Sequence, residues 1–267
     1  MARLHTLLGD PLAAMRRAVV WWSIGLAGLV AATVGFWPAF QGTSGISQAI
    51  DQLPAGVVAA FGLQDFGTPA GYLRGNLYEF FIPLLLVAAG AALVCGQTAG
   101  EESNGRLELV LAQPVSRRAV YLSRVVAALG AFAVIVAAVT LVQLAIDAVV
   151  GLRIGTDVLL ATIVLSALLG WLFASVAFLV ATIRPSPGLV VSLAVGLAVA
   201  SYVVAVLFPM SDVLAPWRHL SPWDWAFGGD PLEQPTEPWR YLALVAPSLA
   251  STVVGWYAVA KRDVAAP

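Results

Sequence analysis

Residues 100–118 read GEESNGRLELVLAQPVSRR. This is the longest polar interruption on one side of an otherwise lipid-soluble chain, and it separates two long apolar runs. Gly100, Ser103, Asn104 and Gly105 end the helix before it. Ser103 or Asn104 caps a new helix, because a short side-chain oxygen satisfies an orphan backbone N–H. Residues 106–113 suit a helix of about two turns, with Leu107, Val110 and Leu111 on one face at i, i+3, i+4 spacing. Pro114 stops it, having no N–H to donate and a ring that clashes with the preceding turn. Ser116 then caps the next helix, with Arg117 and Arg118 in its first turn. Helices below ~12 residues are marginal in water, so this short amphipathic one needs a surface to dock on.

Of the 267 residues, 60% are hydrophobic and 11% charged, where soluble domains carry about 25% charged residues. The composition is that of an all-α integral membrane protein forming one transmembrane domain over residues 1–267. A net charge of −1 offers nucleic acid no bulk attraction. Cys95 is the one cysteine, which excludes an intrachain disulfide and a two-cysteine metal cluster. His5 and His219 fall on opposite expected sides of the membrane, which argues against a histidine-based metal site within one chain.

Residues 1–17 place Leu4, Leu7, Leu8, Pro11, Leu12 and Met15 on one face, as expected of an interfacial helix ahead of the first span. Asp10-Pro11 also reads as an N-cap and first helical position, so two short helices are an alternative, and a plain basic leader is the bland one. Six apolar runs then reach the ~20 residues that cross a bilayer: 19–40, 77–97, 120–150, 158–183, 189–208 and 241–260. Basic residues stay preferentially in the cytoplasm. With the N-terminus inside, the inner segments hold Arg3, Arg16, Arg17, Arg106, Arg117, Arg118, Arg124, Arg184, Lys261 and Arg262, ten of fourteen. Both termini are therefore expected in the cytoplasm of a multi-pass protein of the cell membrane.

The outer loop 209–240 carries Trp217, Trp223, Trp225 and Trp239. Tryptophan favours the interface, so this loop is expected to dip back to headgroup level as short helices. A plain aromatic belt at the span ends accounts for much of the same signal. No paired-carboxylate metal motif, Gly-x-Ser-x-Gly elbow, HExxH or Walker A loop is present. Glu79 and Asp147 are the acids at or near the membrane, each close enough to an expected interface to snorkel. Pro83 follows Glu79 in the same helix and can kink it, freeing a carbonyl. Small-xxx-small pairs at Gly96/Gly100, Ala127/Ala131, Gly170/Ala174 and Gly196/Ala200 permit close helix packing, although 24 glycines produce such pairs by chance.

Two stretches carry a family resemblance. Glu101-Glu102, Gly105-Arg106-Leu107-Glu108-Leu109-Val110-Leu111 and Gln113-Pro114-Val115-Ser116-Arg117 resemble the motif after the second span in permease subunits of ABC-2 type ATP-binding-cassette exporters. His219-Leu220-Ser221-Pro222-Trp223 with Gly229-Asp230-Pro231-Leu232 resembles the loop between spans five and six of that family. Arg106 stands where many members carry Thr, and Val110 where they carry Leu. Neither change removes the capped amphipathic helix.

The resemblance implies six transmembrane helices, an N-terminal interfacial helix and a cytoplasmic coupling helix within 100–118. Two permease subunits, identical or merely similar, would form the path for a hydrophobic or amphipathic cargo such as a lipid, drug or antibiotic. Each would dock on a separate cytoplasmic ATPase that binds ATP and Mg, with no cofactor in this chain. Leu107, Val110 and Leu111 would form the buried stripe of the contact. Glu101, Glu102, Arg106, Glu108, Arg117 and Arg118 would supply its polar part. Tyr78, Glu79, Phe81 and Tyr202 are the candidates for the cargo path, along spans one, two and five. The alternative is a secondary transporter, for which internal repeats and mid-membrane charges are expected and not seen. A membrane-embedded enzyme is the weaker alternative, since no catalytic set is present.

Overall fold

The structure is a computed structural model that describes the backbone of residues 2–40, 52–54, 57–58, 65, 67–100 and 116–260, with side chains from Ala14 onward. Among the described residues the regular elements are all helical, and six helices are long and apolar enough to cross a membrane: Ala14–Phe40, Pro69–Gln97, Arg117–Val150, Thr156–Ile183, Pro187–Met210 and Pro238–Val259. These are the six runs expected above. The short helix expected at 106–113 lies outside the described residues.

Three boundaries differ in an informative way. Ala2–Gly35 is one uninterrupted helix, so the chain does not form two short helices around Asp10-Pro11. The second span starts at Pro69, ahead of the apolar run at 77, because Thr68 caps it and accepts from the Gly71 N–H at 3.0 Å. The third starts at Arg117, where Ser116 caps as expected and accepts from the Ala119 N–H at 3.2 Å. It ends at Gly151, whose φ of 68° is the left-handed conformation that glycine adopts without strain.

The second and fourth spans are the most enclosed, while the first, fifth and sixth keep broad exposed faces. One core cluster joins Leu26, Val30 and Val34 of the first span to Leu77, Ile82 and Leu86 of the second and Phe132, Ile135 and Val139 of the third. A second holds Val94, Tyr121, Phe178 and Val190 towards the end where residues 98–100, Ser116 and 184–186 lie, here called proximal. A third holds Val87, Leu169, Phe173, Trp223 and Leu244 towards the opposite, distal end.

In lipid the tails are as apolar as leucine, so such helices associate by close packing rather than by escape from water. One close seam lies between the second and fourth spans. A Cβ on Gly90 would stand 2.9 Å from Ala174 Cβ, and one on Gly170 3.0 Å from both Leu86 Cβ and Phe132 Cζ. Of the four small-residue pairs in the sequence, Gly170/Ala174 therefore forms this seam. Gly96 and Gly196 have nothing within 4 Å of a built Cβ.

Candidate functional site

The distal half of the second span is not a regular α-helix. Over Arg74–Tyr78 the backbone widens into a π turn, in which the Glu79 N–H reaches back five residues to the Arg74 carbonyl at 2.8 Å. Such turns occur mostly as single interruptions of α-helices, often at functional positions. Phe80 then leaves the helix, with φ −139° and ψ −54°, before Phe81–Gln97 resumes it. Pro83 has no N–H, so the Glu79 carbonyl four residues back has no donor in its own helix.

That carbonyl is taken up by the loop between the fifth and sixth spans. Trp223 Nε1 donates to it at 3.0 Å. Trp223 sits in the helix Pro222–Phe227, capped by Ser221, whose hydroxyl accepts from the Trp223 N–H at 3.1 Å. The Ser221 hydroxyl donates to the Ser201 carbonyl of the fifth span at 2.6 Å, leaving Ser201 to donate to Ser221 Oγ at 2.8 Å. Ser201 Oγ also accepts from the Trp223 N–H at 3.1 Å. The Leu220-Ser221-Pro222-Trp223 stretch is thus pinned to two spans at once. We call this loop the strap.

Its second half is held by charge. Arg74 pairs with Asp230, and with Glu233 at 3.0 Å. Asp230 takes a left-handed φ of 57°, and Leu232 behind it is buried. Gly229 leaves room for Arg240, since a Cβ there would lie 2.6 Å from Cζ of that guanidinium, which would have to shift. Arg240 Nη1 donates to the Asp224 and Trp225 carbonyls at 3.0 and 3.1 Å. Burial pushes the Asp230 carboxyl above the ordinary carboxylate range, Arg74 pulls it down, and Glu233 and Asp65 raise it further. The loop does form short helices, as expected. Three of its four tryptophans spend their N–H within the protein rather than in a belt, Trp225 on the His219 carbonyl and Trp239 on Glu237.

The four candidate path residues divide. Phe81 is half exposed and packs edge-on against Phe80, with ring centres 5.6 Å apart. Phe80 packs on Tyr202 at 4.7 Å, and Tyr202 on Trp223 at 5.3 Å. Phe81 and Tyr202 thus belong to one aromatic row, through Phe80 and Trp223, which sequence reading missed. Tyr78 is fully enclosed and donates to Gln143 Oε1 of the third span at 3.3 Å. Glu79 and Tyr78 border a small cleft shared with Arg74, Thr162, Asp230 and Leu232.

At the proximal end, Arg118 stacks on Trp256 at 4.5 Å and lies 5.9 Å from the Tyr257 ring. Tyr121 donates to the Thr252 carbonyl at 3.2 Å. The start of the third span is therefore tied to the sixth, through aromatic partners that the sequence did not single out. Arg117 heads the same helix. Glu101, Glu102, Arg106, Leu107, Glu108, Val110 and Leu111 lie outside the described residues. Among the described residues, no group of three His, Cys, Asp or Glu side chains could hold a metal ion.

No match is found among curated proteins. The family model described as multidrug efflux system permease Rv1217c, C-terminal domain, matches residues 8–259. That match takes in all six spans and both the proximal segment and the strap, and by it the chain belongs to this family of efflux permeases, as a multi-pass membrane protein.

Proposed function

We propose that the chain is the permease subunit of an ABC-2 type ATP-binding-cassette exporter of the cell membrane, with both termini in the cytoplasm and the strap outside. Two permeases form the path, and each docks on a cytoplasmic ATPase that binds ATP and Mg. The cargo is hydrophobic or amphipathic, a lipid, drug or antibiotic, in keeping with the multidrug efflux description of the family.

The observation that carries this reading is the placement of the second span. Its proximal end, at Gln97, leads into the polar segment 100–118. Its distal end carries Arg74 and Glu79, where the strap is pinned. One helix thus joins the coupling motif to the strap motif. Closure of the ATPase pair pushes the helix at 106–113, and the second and third spans carry the push to the distal mouth. A push changes the equilibrium only where contacts differ between the two states, and in this reading the pins at Glu79 and Arg74 are the contacts that change. Phe81 and Tyr202 face the path, with Tyr78 and Glu79 behind them.

The test is co-purification of the ATPase with Leu107→Asp and Leu111→Asp, alongside transport and span insertion. Each buried aliphatic contributes ~1.5–3 kcal/mol before ordering costs, and an exposed rim charge only ~0.2–1 kcal/mol. Both variants are expected to insert normally and to lose the ATPase or uncouple transport, and Glu108→Gln to do much less. Full retention with full transport in both leucine variants overturns the reading. Transport driven by an ion gradient without any ATPase establishes the secondary transporter instead.

A further inference from the structure

Arg124 is a charge buried inside a membrane span. It lies two turns into the third span, ~12 Å past the cap at Ser116, and is only 8% exposed. Its helix neighbours Tyr121 and Val125 belong to the proximal core cluster. Arg117 and Arg118, at the head of the same helix, are exposed. A guanidinium so enclosed is tolerated only where a counter-charge and hydrogen bonds replace the water it loses.

The placement of the acids narrows that counter-charge. Among the described residues every carboxylate, from Asp65 and Glu79 through Asp147 and Asp157 to those of the strap, lies towards the distal end. Asp147 is on the same helix as Arg124 and stands ~35 Å along it. At the proximal end the described charges are all basic, with Arg16, Arg17, Arg117, Arg118 and Arg184 exposed there. The counter-charge therefore comes from the proximal stretches 1–13, 101–115 or 261–267, whose acids are Asp10, Glu101, Glu102, Glu108 and Asp263.

Chain connectivity selects among these. Ala99 is fully buried in the same cluster as Tyr121 and Val125. At 3.8 Å per residue, the Cα atoms of Glu101 and Glu102 stay within ~8 and ~11 Å of that of Ala99. A glutamate and an arginine side chain close such a gap between them. Glu108 falls midway between Ala99 and Ser116, where the chain holds it least tightly to either. Asp263 follows Trp256, which already packs on Arg118, and Arg118 is more than a turn proximal to Arg124.

We propose that the acidic pair Glu101-Glu102 turns back onto the third span and supplies the carboxylate that pairs with Arg124. The ion pair fastens the start of the polar segment 100–118 to the helix that follows it, so that the second and third spans respond to one push together. One of these glutamates then serves the inside of the chain rather than an ATPase surface. The pairing is independent of the transport reading above, since it needs neither an ATPase nor a cargo.

Removing one partner of a buried pair does more damage than removing both. Arg124→Gln is expected to lower the thermal midpoint of the full chain in detergent by about 10 °C, and one of Glu101→Gln and Glu102→Gln to lower it as far. That glutamate variant combined with Arg124→Gln is expected to recover most of the loss, and Arg124→Lys, which keeps the charge, to lose little. Both glutamate variants without effect, or losses that add in both double variants, overturn the proposal. A second measurement needs no damaged protein. In membranes holding Arg124→Lys, dicyclohexylcarbodiimide is expected to join the new amine to Glu101 or Glu102, located by peptide mass. A link to Asp10, Glu108 or Asp263 instead overturns the proposal.

Discussion

The indole of Trp223 donates to the backbone carbonyl of Glu79 at 3.0 Å, and Pro83 is the reason that carbonyl is open to it. A proline in one helix and a tryptophan in a distant loop thus form a single unit, which a double-mutant cycle can measure. Trp223→Phe keeps an aromatic ring but loses the donor and part of a fully buried side chain, leaving a carbonyl unpartnered at a cost of ~1–3 kcal/mol on top of the lost packing. Pro83→Ala supplies an N–H within the helix. The pair is expected to be less damaging together than the sum of the singles, read as thermal midpoints in detergent. Strict additivity would mean that the indole bond contributes nothing.

Arg74 and Asp230 make a second testable pin. The folded Asp230 carboxyl is held above its ordinary range. It therefore binds its proton more readily folded than unfolded, and its contribution to stability grows as pH falls through the raised value and is lost as pH rises. Removing Arg74 takes away the group that opposes this. At neutral pH, where the carboxylate is ionised against its burial and Glu233 also pairs with Arg74, Asp230→Asn is expected to be neutral or slightly stabilising in the wild type. In an Arg74→Gln background, where nothing opposes the cost of burial, the same change is expected to stabilise more. The check is thermal unfolding of the four proteins between acid and neutral pH.

The glycine seam predicts a contrast within one residue type. Gly170→Ala and Gly90→Ala each place a methyl 3.0 Å or closer to a packed carbon, and overpacking of this kind costs ~1–3 kcal/mol. Gly96→Ala and Gly196→Ala meet open space and are expected to be neutral or mildly stabilising, by up to ~1 kcal/mol of helix propensity. Thermal midpoints of the four variants decide between this seam and a general intolerance to alanine.

Glu233 reports on topology. It lies on the strap, partly exposed beside Arg74. A cysteine there, with Cys95 replaced, is expected to react with a membrane-impermeant thiol reagent on intact cells. Reaction only after permeabilisation would place the strap in the cytoplasm and reverse the last two spans.

The cargo path has its own test. Glu79→Gln and Tyr202→Ala are expected to alter cargo selectivity or cargo-stimulated ATP hydrolysis by the complex. No change in either measurement would remove both residues from the path.

Much of this architecture is legible in the sequence. The six spans follow from runs of apolar residues long enough to cross a bilayer, and the Ser116 cap from local side-chain chemistry. The carbonyl freed by Pro83 was legible as well, but not its recipient, because Trp223 looked like one more interfacial aromatic. The Arg74–Asp230 pair was hidden because the start of the second span and a loop far away in sequence meet only once the spans are arranged. Arg74 and Asn76 also made the start of the second span resemble a loop, and the apolar run alone placed that start too late. Gly96, Gly170 and Gly196 are indistinguishable as sequence patterns. Only the rotation of each helix about its axis decides which of them faces a neighbour, and no local signal encodes that rotation.

The π turn at Arg74–Tyr78 has a meaning in the history of such a gene. It accommodates one residue more than an α turn. Deleting a single codon within it would restore α hydrogen bonding and shorten the helix by only ~1.5 Å, yet swing everything before it by ~100° about the axis. Arg74 would then turn away from Asp230 with the membrane-crossing length almost intact. A one-residue insertion or deletion here is therefore a rotary adjustment, and homologues that differ by that codon would present different faces of the second span to their distal loops.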